Sequence, residues 1–554
     1  MNNRTIARAF RELGQLLELH RDNPYKIRSY QNAYMKLRKL EEPLEHMTEE
    51  EWVAIPGIGK AIAGKIGELL QNGRMETLEK WRDQTPAGVV EMMGISGFGP
   101  KKVRAVWQGL GVESVGELQY AVNENRLIEL KGFGAKTQED LRKKLAYYQA
   151  SRGKFLYRDL EAARDALLAQ LTRLLGPAAQ VTETGAVRRR EPTPTAIELL
   201  VVHPAPAELA EKLTAAGILT DTDVQDDHLT GRAAELPVIV YCCAGENFGS
   251  RQFRRTGTRQ FLEAVTARRP GLDFSGLATE QEVFDRAELP VIPPEMREGA
   301  WAVEMAAAGP LPRLIEDEDI RGVVHNHSVY SDGINTVAEM AEACIAAGYE
   351  YLVMSDHSRS AGYAGGLKID RVQAQWAEID ALNERLAPFR ILKSIESDIL
   401  ADGSLDYPDE VLAGFDLVIA SVHSNLRMSG ELAMQRLLTA VANPYTSILG
   451  HPTGRLLLAR PGYPVDHRRL IDACADHGVA IELNANPLRL DLDWSWIPYA
   501  RERGVLISIN PDAHATGGIA DIRYGVMTAR KGGLTAEGCL NTRPMKEFLQ
   551  FLQK

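Results

Sequence analysis

Seven short apolar runs near the C-terminus constrain the fold of this chain more than any other feature. They are GVVHNHS (322–328), YLVMSDH (351–357), ILKSIESDI (391–399), DLVIASVHS (416–424), SILGHP (447–452), VAIELNAN (479–486) and VLISINPDAH (505–514). Each has strand length and is rich in β-branched residues, and helical patterns of 10–20 residues separate them. That alternation predicts a parallel βα series. So many repeats in series close naturally into a barrel, and seven strands rather than eight make it a distorted one.

The polar residues of these runs sit at one end of each. Of the twelve histidines, six (His325, His327, His357, His423, His451 and His514) fall at or just after the C-terminal ends, as do Asp332, Glu396 and Asp512. In a βα barrel those ends converge on one face. Nine imidazole and carboxylate groups there would be costly without bound cations to balance them. H-x-H turns two ligands to one side of a strand. Mixed His, Asp and Glu without thiolates suits Mn²⁺, Zn²⁺ or Fe²⁺ rather than Ca²⁺. The set fills two or three divalent ions with Glu396 as the bridging carboxylate, a cluster that clamps a phosphate ester and activates water for attack. The segments H-N-H-S…D, S-D-H, E-S-D, V-H-S, G-H-P and D-A-H resemble the PHP (polymerase and histidinol phosphatase) domain, with all nine metal positions filled. Arg489, in NANPLRLD, is a candidate contact for a substrate phosphate or else a surface arginine. Tyr330, His467 and His477 lie outside the pattern and are expected in packing or surface roles.

The N-terminal region carries a different repeat. IPGIGKAIAGKIGEL (55–69), ISGFGPKKVRAVWQGL (95–110) and LKGFGAKTQEDLRKKL (130–145) each place G-h-G before a basic helix. Glycines allow a tight turn, and such a turn aims backbone N–H groups at a helix N-terminus, where a phosphate binds. The pattern resembles the helix-hairpin-helix motif, which holds DNA by its backbone without reading sequence. Gly57, Gly59, Lys60, Lys65, Gly97, Gly99, Lys101, Lys102, Gly132, Gly134 and Lys136 are the candidate DNA contacts. NPYKIRSYQNAYMKL (23–37) followed by the first hairpin resembles the N-terminal domain of family X DNA polymerases. In that family a helix lysine forms a Schiff base with an abasic sugar. The resemblance puts Lys65 at that position, with plain phosphate contact as the other reading.

The middle of the chain, GAVRRREPTPTAIELLVV (185–202), falls where family X polymerases carry their nucleotidyltransferase core. Gly185, Arg188 and Arg189 match the family pattern. The serine position is Ala186, and the D-x-D pair reads Ala196 and Glu198. The third acid aligns with Pro237. In GSRQFRRTGTRQF (249–261), Arg254 and Arg255 replace an aromatic pair. Losing a metal carboxylate commonly costs on the order of 10²–10⁴ in rate, so this core is expected to polymerise weakly or not at all. Its arginines either hold DNA or nucleotide, or form a solvated basic surface. A PHP domain behind a family X core is the arrangement of the bacterial PolX family, which the whole chain resembles.

The chain's 554 residues exceed what one core organises. The motifs divide it into an 8-kDa-like hairpin domain (1–85), a fingers-like hairpin domain (86–150), a palm-like domain (151–232), the rest of the palm with a small thumb (233–312) and the PHP barrel (313–554). The predicted fold is multidomain α+β and α/β. Residues 1–150 hold 23 basic and 20 acidic side chains, the remainder 41 and 55, which fits a DNA-touching module on a carboxylate-rich body. Five cysteines without a C-x-x-C pair, no apolar run of membrane-spanning length and an amphipathic N-terminus point to a cytoplasmic protein. The resemblance implies a Mn²⁺-dependent 3′–5′ exonuclease, acting as a monomer on gapped, nicked or 3′-ended DNA in repair. The rival readings are a bifunctional polymerase and exonuclease, a small-molecule phosphatase of the histidinol-phosphate type, and a non-catalytic DNA scaffold.

Overall fold

The computed structural model describes residues 1–553 other than 41, 124, 125, 131 and 272, so Lys131 of the third hairpin lies outside the described residues. The chain forms two compact units, Met1–Arg152 and Gly153–Lys554.

The first unit is helical. Its first helix, Asn3–Leu19, is capped by the Asn2 side chain, which accepts from the Thr5 N–H. It buries Ile6, Phe10, Leu13 and Leu17, spaced three and four apart on one face. One continuous apolar core runs from Ile6 to Leu145. The hairpin helices are Lys60–Asn72, Pro100–Leu110 and Ala135–Ser151.

The second unit opens with the helix Tyr157–Leu175 and a five-stranded sheet. Its strands are β1 (Val181–Glu183), β2 (Ile197–Val202), β3 (Thr220–Val224), β4 (His228–Ala233) and β5 (Leu236–Cys243), in the order β1-β2-β5-β4-β3. Only β2 and β5 run parallel, and they set Ile197 beside Val238. GAVR forms a short helix, Gly185–Arg188. Helices between Phe248 and Ala308 share a separate core around Phe253, Phe261 and Phe284.

All seven C-terminal runs are strands: β6 (Gly322–Asn326), β7 (Tyr351–Met354), β8 (Arg390–Asp398), β9 (Leu417–Ser421), β10 (Thr446–Leu449), β11 (Ala480–Asn484) and β12 (Ile507–Asn510). They pair in sequence order, all parallel. Nearly every strand residue is buried, as expected where helices cover one face and a packed interior the other. A parallel bridge between Asn326 and Ala513 brings the two edges together, and the His327 N–H donates to Ala513 O at 2.9 Å. The connections depart from the expected long helices in two places. Between β8 and β9 there is a single turn, Asp409–Leu412, and between β11 and β12 the helix is six residues, Ile497–Glu502.

The sheet and the barrel share an interior. Tyr157 and Val187 join Leu490 and Tyr524 in one apolar cluster. Lys531, with no exposed surface, donates to Arg189 O at 2.9 Å and to Glu298. All five cysteines are free and buried. Among the described residues no helix is long and apolar enough to cross a membrane.

Candidate metal centre

The mouth of the barrel gathers all nine strand-end residues. Glu396, near the end of β8, meets five of the six histidines. Its Oε1 lies 3.3 Å from His325 Nε2, 3.0 Å from His423 Nε2 and 2.9 Å from His451 Nε2. Its Oε2 lies 2.9 Å from His357 Nδ1 and 3.8 Å from His327 Nε2. Asp512 reaches His327 at 3.1 Å, and Asp332 lies 3.6 Å from His357 and 3.3 Å from His514. His327 stacks on His514 with ring centroids 4.2 Å apart.

Three overlapping groups have donor atoms within 4.8 Å of one another: His327, Asp332, His357 and His514; His325, His327 and Asp512; and His357, Glu396 and His423. His451 stands outside these groups but meets Glu396. Buried His325 Nε2, Asp332 Oδ1 and Glu396 Oε2 have no well-formed hydrogen bond, which is costly for buried polar atoms. His325 and Asp512 also adopt positive φ, 63° and 52°, strain of the kind that functional sites retain. Unpaired donors, mixed nitrogen and oxygen chemistry and several shared residues fit a cluster of divalent ions.

The charges in this cluster are divided. Burial opposes charge on His423, but Glu396 and Asp398 outweigh it and push the imidazole up to about 10. His514 is likewise up to about 9 against burial, through Asp332 and Asp512. Burial, with His514 and His357 nearby, lowers His327 to about 3. Glu396 and Asp512 resist burial and stay well below the usual carboxylate range, held there chiefly by the surrounding imidazoles.

Several residues that shape the site escaped the sequence reading. Glu482, fully buried on β11, accepts from His325 Nδ1 at 2.6 Å, and also from the His451 N–H, Asn484 and Asn510. Asp398 holds His423 Nδ1 at 2.6 Å, and Asp356 binds Ser328, Ser331 and Gln375. Their signals were present: Asp398 lies two positions after Glu396 on the same strand, Glu482 is the lone acid of VAIELNAN, and Asp356 precedes His357. Such carboxylates fix the ring orientation of a ligating histidine. Arg489 is not a plain surface residue, since its Nε lies 3.7 Å from Asp512 Oδ2. Tyr330 donates to Glu378, and His467 stacks on Trp496 at 4.6 Å.

The three glycine hairpins adopt one geometry. Gly57, Gly97 and Gly132 have φ of 93°, 70° and 93°. Gly59, Gly99 and Gly134 are extended N-caps with no side-chain cap bond. The buried apolar residue between each pair, Ile58, Phe98 or Phe133, anchors the turn, and Phe98 meets Phe133 edge-on at 6.3 Å. The space where a Cβ would stand at Gly59, Gly99 and Gly134 is open. The starts of these three helices therefore lack a side-chain cap, as an anion-binding helix N-terminus does. Lys60, Lys101 and Lys136 are exposed beside them. Lys102 donates to Gly97 O at 3.3 Å, and Lys65 donates to Thr77 at 2.7 Å.

In the palm-like sheet, neither expectation for the arginines holds. Arg188 pairs with Glu280, and Arg189 with Glu298 at 3.1 Å, so they are neither free for phosphate nor solvated. Glu198 Oε2 accepts the Ala186 N–H at 2.8 Å, and burial raises its pKa. A Cβ at Gly185 would lie 1.8 Å from that carboxylate, so the glycine and Glu198 form one packed turn. Ala196 and Pro237 immediately precede the first registered pair of β2 and β5. Arg255 binds Asp227 at 2.8 Å and covers the Tyr241 ring at 4.0 Å, while Arg254 is exposed.

Comparison with known proteins agrees with these three regions. Residues 1–75 match the Helix-hairpin-helix domain family and residues 89–146 the SAM-like Helix-hairpin-helix tandem family. A probable phosphatase of Thermoanaerobacter sp. (strain X514) is 27% identical over 41% of this chain and 93% of its own. A probable phosphatase of Acetivibrio thermocellus is 29% identical over 34% of this chain and 78% of its own. The DNA polymerase/3′-5′ exonuclease PolX of Bacillus subtilis is 34% identical over the whole of both chains. With identity at that level from end to end, the chain belongs to the bacterial PolX family.

Proposed function

We propose that the protein is a DNA-repair nuclease, a Mn²⁺-dependent 3′–5′ exonuclease whose chemistry lies in the barrel. The convergence of six imidazoles with Glu396, Asp332 and Asp512 at the barrel mouth carries this reading. Zn²⁺ and Fe²⁺ suit the same donors. The nine strand-end residues would hold two or three divalent ions, with Glu396 the candidate for a shared ligand because it meets five of the histidines. Bound there, the ions supply a clamp for phosphate oxygens and activation of water.

The chain's own residues prepare the site. Glu482 and Asp398 each hold an imidazole by Nδ1, which aims Nε2 of His325 and His423 at Glu396. Arg489 offers a guanidinium at the edge of the cluster for a substrate phosphate. Gapped or nicked DNA is gripped by the hairpins without regard to sequence. The protein works as a cytoplasmic monomer, with 1–85, 86–150, 151–232, 233–312 and 313–554 as its functional parts. Lys65 is where a lyase step would act, and borohydride trapping on an abasic substrate tests that.

The deciding experiment uses one end-labelled, gapped DNA with Mn²⁺. His325→Ala or His327→Ala should abolish trimming of the 3′ end and leave DNA binding intact. Unchanged trimming ends the proposal. The same reaction with nucleotides should show no robust primer extension, because Ala196 and Pro237 supply no metal ligand. The similarity to probable phosphatases favours a second reading, a small-molecule phosphatase. Relative turnover of histidinol phosphate and a 3′-ended oligonucleotide separates the two.

A further inference from the structure

The loop after β7 carries an aromatic ring that the nine candidate ligands do not use. Tyr363 is 73% exposed, yet its ring centroid stands 6.1 Å from that of His357. It lies close enough to Asp398, Glu396 and Asp332 for their charges to act on its hydroxyl. The loop itself is fixed. Ala361 and Ala364, either side of the ring, are 1% and 3% exposed. The Leu367 N–H donates to His357 O at 2.9 Å, and the Gly366 N–H to Ala361 O at 3.1 Å. The Ser360 hydroxyl donates to Asp398 at 2.6 Å. A Cβ at Gly366 would fall 1.9 Å from Ser358 O, so close backbone approach sets the turn. The Tyr363 ring projects between the two buried alanines, Ala361 and Ala364.

Tyr363 has apolar company. Among the described residues of 313–553, five large hydrophobics are exposed, and four stand on loops at the metal face: Val329, Ile334, Tyr363 and Leu488. Ile334 donates its N–H to His514 O, and Leu488 precedes Arg489. An apolar rim around so charged a centre serves no purpose for a small, fully polar phosphate ester. A nucleotide differs, because it carries a flat π face one sugar away from its phosphate.

We propose that Tyr363 is the platform on which the 3′-terminal nucleobase stacks while its phosphodiester lies at the metal centre. Stacking of this kind tolerates any base, because every base has a π face. It therefore fits a nuclease that trims without reading sequence. The proposal rests on the nuclease reading above and names the substrate feature the site holds.

The test uses the full chain and the variants Tyr363→Ala and Tyr363→Phe. Oligonucleotides end in a 3′ adenosine or a 3′ abasic (tetrahydrofuran) residue. Tyr363→Ala should lower kcat/KM about tenfold on the adenosine end, mainly through KM, and leave the abasic end unchanged. Tyr363→Phe should behave as wild type. In chelator, a 3′-terminal 2-aminopurine should be quenched by wild type and Tyr363→Phe but not by Tyr363→Ala. Equal losses on both ends, no loss on either, or quenching that survives Tyr363→Ala would overturn the platform. If wild type trims neither oligonucleotide, the nuclease reading fails, and the quenching still decides the stacking.

Discussion

Arg188 and Glu280, 92 positions apart, form a two-point ion pair with Nη1–Oε1 at 2.9 Å and Nη2–Oε2 at 2.6 Å. Glu280 also meets Arg297, whose side chain has no exposed surface. The arginine motif of the polymerase-like core is thus neutralised from within. Glu280→Ala should cost about 3–5 kcal/mol, because it strands buried guanidinium charge. Urea denaturation measures this. Burial pushes the Glu280 carboxyl up, but Arg188 and Arg297 hold it below its ordinary 4.5. A depressed carboxyl contributes stability above that value and loses it as pH falls through the folded one. The gap between wild type and Glu280→Gln should therefore shrink on acidification below about pH 4.5.

Glu482 should act through His325 rather than on substrate. Glu482→Gln removes the carboxylate that faces His325 Nδ1. Mn²⁺ affinity should fall about 10–100-fold, measured by metal titration. Trimming should recover at saturating Mn²⁺. Loss that saturating metal does not restore would count against a positioning role.

Metal binding should release protons. His423 and His514, at about 10 and about 9, carry protons at neutral pH in the metal-free chain, and a ligand nitrogen must shed its proton. Affinity should fall as pH falls. Calorimetry in buffers of different ionisation enthalpy counts the protons released. The raised values also fix the sign for stability without metal. The contribution is full below the ordinary 6.5 and is lost as pH rises through about 9–10. The metal-free protein should lose melting temperature over that range.

The hairpin N-caps separate stability from DNA binding. Aspartate at Gly59, Gly99 and Gly134 fits their extended backbone and open space. It caps the helices, worth up to about 1 kcal/mol each, so melting temperature should hold or rise. The same carboxylates occupy and repel the phosphate position, so DNA affinity should fall about tenfold or more. Fluorescence anisotropy reads this. Alanine at Gly57, Gly97 or Gly132 should instead cost about 1 kcal/mol, because φ is positive there.

The seven strands, the nine converging residues and the three hairpins were legible in the sequence. Each rests on a local pattern: a buried strand is an apolar run, a parallel barrel sends every strand's C-terminal end to one face, and a tight turn needs glycine. What the arginines of GAVRRR do was not legible, because Glu280 and Glu298 come from helices and loops 92 and 109 positions later. Nor was Glu482 as the partner of His325, 157 positions away. Tyr363 lies in none of the sequence motifs, and the fold of its loop sets its ring 6.1 Å from that of His357. The sequence thus determined which elements form and where the metal donors gather. Tertiary structure alone decided which charges neutralise each other, because those contacts close long loops that no local spacing encodes.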